Sequence, residues 1–340
     1  MNKNPTVAEP IHILGAGGIG LAIAWCLLRD DKKVILVDNN EAKIVAGQKD
    51  GMEIVGHGTE AVEFVHFDDW DSTQGGLVLL CTKTYDNAAV LNRLHDESLM
   101  VPVQNGFDTE LDKLNHAGEG IASFVSECLR DRPVTRITRP GCLHIGSRRK
   151  TSDAERAELK LLGESIDRAK LFPVEFVNDV LPYKATKLMY NAAISPLAAG
   201  AGVDNGELLG DSIANKLFFA LLLENYAILK NAGMALAKIG PFHPDTVSRI
   251  LTTPFLPALM SVFFRPSLKG TYCSMAPDMA SGRTEIEAYN GHLIRLAGDF
   301  PCPLNRAALK MINTIVKEKL PVERRHLQDL ADSLPIGVLS

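Results

Sequence analysis

The sequence carries no excess of basic charge. Its 36 Lys and Arg residues stand against 41 Asp and Glu, a net charge of −5 at pH 7. Neither nucleic acid nor an anionic membrane surface is therefore expected as a partner. The basic run Arg148-Arg149-Lys150 is short, precedes polar residues and reads as a solvated loop. Long uninterrupted apolar runs are also missing. The strongest, KLFFALLLENYAIL, is broken by Glu224 and Asn225, so no membrane span is expected. The first residues, MNKNPTVAEP, lack the apolar core of a signal peptide. The six cysteines, at 26, 81, 128, 142, 273 and 302, contain no C-x-x-C pair. That scatter suits reduced thiols in a cytoplasmic protein. The nine histidines form neither H-E-x-x-H nor H-x-H, so no metal site is expected.

What the chain does have is the composition and length of an ordinary globular protein. With 46 % apolar and 23 % charged residues over 340 positions, it can build two domains, each with its own core. The two halves differ in texture. IHILGAG, KVILVDNN, AVEFVHF, GLVLLCTKT, LMVPVQNG and IASFVSEC read as strands, with helical stretches such as GLAIAWCLLRDD and DNAAVLNRLHD between some of them. Such alternation predicts an α/β domain with a mostly parallel, doubly wound sheet. Two further strand-like pieces, PVTRITRP and GCLHIGS, follow. From about residue 178 long helical periodicities take over, at 179–200, 212–232, 243–263, 284–298 and 303–318. The expected division is residues 1–177 for a dinucleotide-binding domain and 178–340 for an all-α substrate domain.

The dinucleotide reading rests on GAGGIG, which spans Gly15, Ala16, Gly17, Gly18, Ile19 and Gly20. It follows a strand, opens an apolar helix and precedes a second strand. Gly15, Gly17 and Gly20 have the G-x-G-x-x-G spacing that permits a tight turn, close approach to a pyrophosphate and close helix–strand packing. The second strand ends at Asp38, 18 residues past Gly20, where an acid can bind a ribose 2′-hydroxyl and repel a 2′-phosphate. No Lys or Arg occupies 37–40. NAD(H) is therefore favoured, with NADP(H) the alternative; Asp38 can also be read as a simple turn residue. Lys83 and Asn105 each follow an apolar strand, so both belong at the carboxyl edge of the sheet, where such sheets bind ligands.

The segment KATKLMYNAAISPLAAG poses a separate question. Lys187, Asn191 and Ser195 recur every four residues, so they share one face of an otherwise apolar helix. A lysine there is either a snorkelling residue at the edge of a core or a group aimed into a cleft. The segments LLCTKTYD, VPVQNGFDTE, TKLMYNAAISPLAAGAGVDNGEL and CSMAPDMASGRTEIEAYNGHL, in this order behind GAGGIG, resemble the ketopantoate reductase (2-dehydropantoate 2-reductase) family from about Ile11 to Ile315.

That resemblance implies a Rossmann-type domain followed by a helical domain like the C-terminal one of 6-phosphogluconate dehydrogenase. It also implies roles for individual residues. Lys187 matches the catalytic lysine, and Glu285 and Ser274 match groups that hold substrate carboxylate and hydroxyl groups. Asn191, Asn205 and the face carrying Ser195 match substrate-side positions. Asn105 matches an asparagine between nicotinamide and substrate, and Lys83 a lysine near the cofactor. The implied reaction is NAD(P)H-dependent reduction of a 2-oxo acid to the 2-hydroxy acid. A positioned ammonium would stabilise charge developing on the carbonyl oxygen and donate the proton. TEIE reads as a capping box from Thr284 to Glu287, which would put Glu285 in a first helical turn, where the macrodipole favours negative charge.

Three features depart from the family pattern. Asp38 stands where a basic residue is frequent, Ser195 stands where asparagine is common, and residues 240–272 form a longer apolar stretch than expected. The expected substrate is therefore ketopantoate or a related 2-oxo acid, the last two features suiting a different one. Opine-type or hydroxy-acid dehydrogenation on the same fold, and a non-catalytic dinucleotide sensor, are the alternatives. A homodimer is the implied assembly, with 212–232 either core or dimer face.

Overall fold

The computed structural model describes residues 9–74, 76–95, 100–253, 265 and 268–339. It divides into two compact units: residues 9–104 with 109–180, and 105–108 with 181–339.

The first unit opens with β1 (Ile11–Leu14), α1 (Gly18–Leu28), β2 (Val34–Asp38), α2 (Glu41–Asp50), β3 (Met52–Ile54), β4 (Gly58–Glu60) and β5 (Glu63–His66). Next come β6 (Val78–Leu80), α3 (Asn87–Leu91), β7 (Met100–Pro102), α4 (Thr109–Asp112), β8 (Gly118–Ala122) and β9 (Val125–Cys128). It closes with β10 (Val134–Arg139), β11 (Leu143–Ser147), α5 (Asp153–Arg168) and β12 (Val174–Val177). Five strands form one sheet in the order β5-β2-β1-β6-β7, and every pairing in it is parallel. Side chains alternate across it. Ile13, Leu36, Leu79 and Val101 enter one core, while Leu14, Ile35, Val37, Val78, Leu80 and Met100 enter another on the opposite face. A parallel sheet covered on both sides explains why these strands read as unbroken apolar runs. The chain winds outward from β1 through β2 to β5, then returns to β6 beside β1. The topological switch therefore lies between the carboxyl ends of β1 and β6, where ligands bind in such sheets.

The remaining strands depart from the expected single sheet. IASFVSEC is two strands, β8 and β9, and they enter two smaller mixed sheets, β4-β3-β10-β9 and β12-β11-β8.

The second unit contains α6 (Leu181–Ala201), α7 (Asn205–Leu208), α8 (Ser212–Asn231), α9 (Pro244–Leu251), α10 (His292–Ala297), α11 (Pro303–Glu318) and α12 (Arg325–Asp332). Its single core takes Leu188, Leu197, Leu217, Leu221, Ile286, Leu293 and Ile312, among others. Each such side chain contributes about 1.5–3 kcal/mol by leaving water. The helix read at 243–263 is observed over Pro244–Leu251, and its end, with much of the 240–272 stretch, lies outside the described residues.

Helix α8 corrects one reading. At 20 residues it is long and apolar enough, by length and composition, to cross a membrane. Its Leu217, Phe218, Leu221, Leu222, Ile228 and Leu229 are instead buried in the core. The residues that break its apolar run make a buried polar knot. The Glu224 carboxylate accepts from the backbone amides of Leu304 (3.0 Å) and Asn305 (2.8 Å) at the start of α11. This satisfies amide donors that a helix N-terminus leaves open. Burial nonetheless pushes the Glu224 pKa up.

Candidate active site

The glycine loop sits at the switch point, and the contacts of each glycine explain its identity. Gly15 adopts φ +98°, and a Cβ there would lie 2.8 Å from the Thr82 amide nitrogen at the end of β6. A Cβ at Gly20 would lie 2.0 Å from the Gly15 carbonyl oxygen, and one at Gly18 2.4 Å from Ser126 Oγ. Gly17 differs, since a Cβ there would meet nothing within 4 Å. Gly17 is also the N-cap of α1 and supplies no side-chain cap to its first amides. Bare amide donors beside open space fit a pyrophosphate.

Asp38 has a local task as well. Its Oδ2 accepts from the Ala16 amide (2.8 Å) and its Oδ1 from the Asn40 amide (2.9 Å). The carboxylate thus clamps the loop to the end of β2, and each oxygen keeps a second acceptor site for a ribose hydroxyl. Inspection of residues 37–40 alone overlooks Lys43. Its buried ammonium donates to the Ala16 carbonyl at 3.0 Å, which places a cation against the same loop. Ile19 begins α1 beside Gly18, and half-buried Lys83 opens the turn after β6. Gln104 was also not singled out by its sequence. Its amide exchanges hydrogen bonds with Asn87 (2.8 and 3.1 Å) and donates to the Thr82 carbonyl (2.7 Å), tying together the ends of β6 and β7.

The other candidate residues gather in the helical unit. Residues 105–108 belong to it, anchored by the Phe107 amide, which donates to the Ala288 carbonyl at 3.0 Å. Gly106 takes φ +74°, and a Cβ there would come within 2.7 Å of the Tyr289 ring. The Asn-Gly pair is thus required by close approach as well as by the turn. Asn105 Oδ1 is buried and has no hydrogen-bond partner among the described residues, an acceptor available to a ligand donor.

On α6, Lys187 and Asn191 are half-buried and Ser195 is buried. The fully buried lysine of this helix is Lys184, whose ammonium lies 5.0 Å from the centroid of the Phe107 ring. Cation–π attraction there offsets part of the cost of burial. Pro196, inside the helix, has no amide hydrogen to give the Ala192 carbonyl. Asn290 Nδ2 supplies the missing donor at 2.9 Å and also reaches Asn305 Oδ1 at 2.8 Å. Asn225 Nδ2 donates to the Met189 carbonyl at 2.9 Å. The backbone of the lysine helix is therefore held from outside by buried amides.

Ser274 and Glu285 are joined by a residue that sequence inspection passed over. The phenol of Tyr289, completely buried, lies 3.1 Å from Ser274 Oγ and 3.2 Å from Glu285 Oε2. Burial and the adjacent Glu285 carboxylate raise the Tyr289 pKa well above its ordinary value, so the group remains a hydroxyl donor. Cys273 Sγ donates to the Ser195 carbonyl at 3.5 Å, bringing this segment against α6. The expected capping box is not how the Glu285 turn is built. Residues 287–291 form a wide π-type turn, and Glu287 pairs with Arg295 (3.6 Å). Asn205 is buried and donates to Thr271 Oγ1 at 3.3 Å, while its Oδ1 has no hydrogen-bond partner.

Comparison with known proteins agrees with this layout. Residues 11–147 match the family model "Ketopantoate reductase PanE/ApbA", and residues 179–316 match "Ketopantoate reductase PanE/ApbA C terminal". A 2-dehydropantoate 2-reductase of Pyrococcus horikoshii is 25 % identical over 303 residues, covering 87 % of this chain and 93 % of that protein. A PanE/ApbA family ketopantoate reductase from Ralstonia eutropha superposes with a TM-score of 0.71 at 24 % identity, covering 92 % of this chain and all of that one. A ternary structure of D-mandelate dehydrogenase with NADH and anilino(oxo)acetate gives a TM-score of 0.74 at 18 % identity, covering 91 % of this chain and 99 % of that one. With a glycine loop at the switch point, a lysine helix in the second unit and matches to both family models, the chain belongs to the ketopantoate reductase family of NAD(P)-dependent oxidoreductases.

Proposed function

We propose that the protein reduces a 2-oxo acid to its 2-hydroxy acid, with Lys187 as the general acid. A reduced nicotinamide dinucleotide, when bound, supplies the hydride. Gly15 to Gly20 hold its pyrophosphate and Asp38 its adenosine ribose, Lys83 contributes at the carboxyl edge of the sheet, and Asn105 serves nicotinamide and substrate. The Lys187 ammonium stabilises negative charge growing on the substrate carbonyl oxygen and passes it a proton. Ser274 and Glu285 orient the substrate's polar groups, with Asn191, Asn205 and Ser195 lining the same pocket. The observation that carries this reading is the Ser274–Tyr289–Glu285 hydrogen-bonded chain beside the lysine helix. An apolar core has no use for a half-buried serine joined to a buried tyrosine hydroxyl and a buried carboxylate, because such groups cost free energy to desolvate.

NAD(H) is the favoured cofactor, since a 2′-phosphate would meet the Asp38 carboxylate; Lys43 is the feature that favours NADP(H). The protein works in the cytoplasm, and as a homodimer if it follows the dimeric ketopantoate reductase of Staphylococcus aureus, to which its fold is similar (TM-score 0.66).

The test follows loss of reduced-nicotinamide absorbance with ketopantoate and, separately, with phenylglyoxylate, each with NADH and with NADPH. Turnover with NADH well above NADPH supports both the reaction and the role of Asp38. Turnover with NADPH alone keeps the reaction and discards the cofactor preference. No turnover of any 2-oxo acid, with cofactor binding intact, overturns the reaction.

A further inference from the structure

A second cluster of reactive side chains lies in the first unit, on the sheet β12-β11-β8. Leu143 and Ile145 of β11 point into the core, so strand alternation sends Cys142 and His144 to the opposite face. The parallel register sets Glu175 of β12 directly beside His144. Val174 and Phe176 pack on the core side, so Glu175 shares the face of Cys142 and His144. Cys142 Sγ and the ligand nitrogen and oxygen atoms of His144 and Glu175 all lie within 4.8 Å of one another. The backbone under Cys142 is fixed by reciprocal bonds with Ser123, 2.8 Å from the Cys142 amide to Ser123 Oγ and 2.8 Å from the Ser123 amide to the Cys142 carbonyl.

We propose that Cys142, His144 and Glu175 form a binding site for a thiophilic divalent cation, zinc in the first instance. One thiolate, one imidazole and one carboxylate make a ligand set suited to zinc, with a fourth position left to water. The geometry fits the ion. A nitrogen and an oxygen each bound about 2.0–2.1 Å from a tetrahedral zinc stand roughly 3.3 Å apart, and His144 Nε2 and Glu175 Oε2 are 3.3 Å apart.

A simple histidine–glutamate ion pair leaves the thiol unexplained, since Cys142 Sγ lies within 4.8 Å of the ligand atoms of both partners. On binding, the S–H bond breaks, the metal–sulfur bond forms, and one proton leaves to solvent. Glu175, with its side chain 60 % exposed, gives the ion a way in.

The test uses untagged full-length protein stripped with a chelator and titrated with Co²⁺, which reports thiolate ligation through a near-ultraviolet charge-transfer band. The expected result is one equivalent bound with that band, release of a proton, and displacement of the band by Zn²⁺. Cys142→Ser removes the band. Glu175→Gln, a change at an exposed side chain, keeps the fold and weakens binding at least about tenfold, the loss of roughly 1.4 kcal/mol of ligand free energy. Absence of the band in the wild type, its persistence in Cys142→Ser, or equal affinity in Glu175→Gln would each overturn the site. Oxidoreductase turnover serves as a separate readout, expected to survive in both variants.

Discussion

The glycine loop and the Ser274–Tyr289–Glu285 chain of the helical unit fix their polar groups by opposite means. The loop uses backbone. Its donors are the first amides of α1, and its shape is set by glycines that exclude their own side chains, Gly15 against Thr82 and Gly20 against the Gly15 carbonyl. The helical unit uses side chains. Tyr289 bridges Ser274 and Glu285, while Asn225, Asn290 and Asn305 hold the helix that carries Lys187. A backbone site depends on local geometry and recurs as a short motif. A side-chain site depends on residues brought from distant positions, each of which can fail by itself.

Substitutions can break or sharpen this contrast. The largest expected effect is at Lys187. Lys187→Ala should lower kcat by about 10²–10⁴, the usual worth of a general acid, while leaving NADH affinity intact. Stopped-flow turnover alongside cofactor fluorescence would show it, and a loss below about tenfold would remove the lysine from that role.

The loop should respond according to position. Gly20→Ala forces a Cβ to 2.0 Å from the Gly15 carbonyl oxygen, so the loop must shift, at about 1–3 kcal/mol of stability, and cofactor binding goes with it. Gly17→Ala has room for its Cβ and should keep the wild-type melting temperature while still weakening the dinucleotide by about tenfold or more, because that Cβ occupies ligand space. Equal cofactor affinity in Gly17→Ala and the wild type would show that the pyrophosphate does not lie there.

Asn290→Leu tests the side-chain half. It strands the Ala192 carbonyl beside Pro196 and should cost about 1–3 kcal/mol, read as a lower denaturation midpoint at unchanged slope. Wild-type stability would mean the carbonyl finds another donor.

The smallest effect is expected at Tyr289. Tyr289→Phe keeps the ring and removes the hydroxyl that links Ser274 and Glu285, so KM for the oxo acid should rise with little change in cofactor affinity. Its folded pKa is raised above the unfolded value of about 10, so the wild type keeps this stability below pH 10 and loses it as pH rises further. Tyr289→Phe should flatten that alkaline slope in equilibrium unfolding, and identical slopes would contradict the assignment.

The two regions were not equally legible in the sequence. The parallel sheet could be read because its strands are buried on both faces and so appear as apolar runs, each followed by a turn at the ligand edge. The helices α6, α8 and α11 showed in their periodicity. The turn after Glu285 did not. TEIE has capping-box spacing, but Glu287 finds Arg295, because a pairing partner a turn or more away is invisible to a four-residue pattern. Tyr289 carries no signal in the sequence, since a buried aromatic and a hydrogen-bonding tyrosine share one periodicity. The Cys142, His144 and Glu175 cluster escaped for a related reason: its third member stands on another strand, and only the β11–β12 register brings it near.

By itself the sequence determined the five strands of the parallel sheet, the helices α6, α8 and α11, the glycine turn, and that Lys187, Asn191 and Ser195 share a helix face, because these follow from interactions within a few residues of chain. Only the tertiary structure decided that Asp38 clamps Ala16, that Lys43 joins the same loop, that Asn290 replaces the donor Pro196 lacks, and that Tyr289 links Ser274 to Glu285. Those pairings cross long stretches of chain, and what selects them is the cost of burying a polar group without a partner.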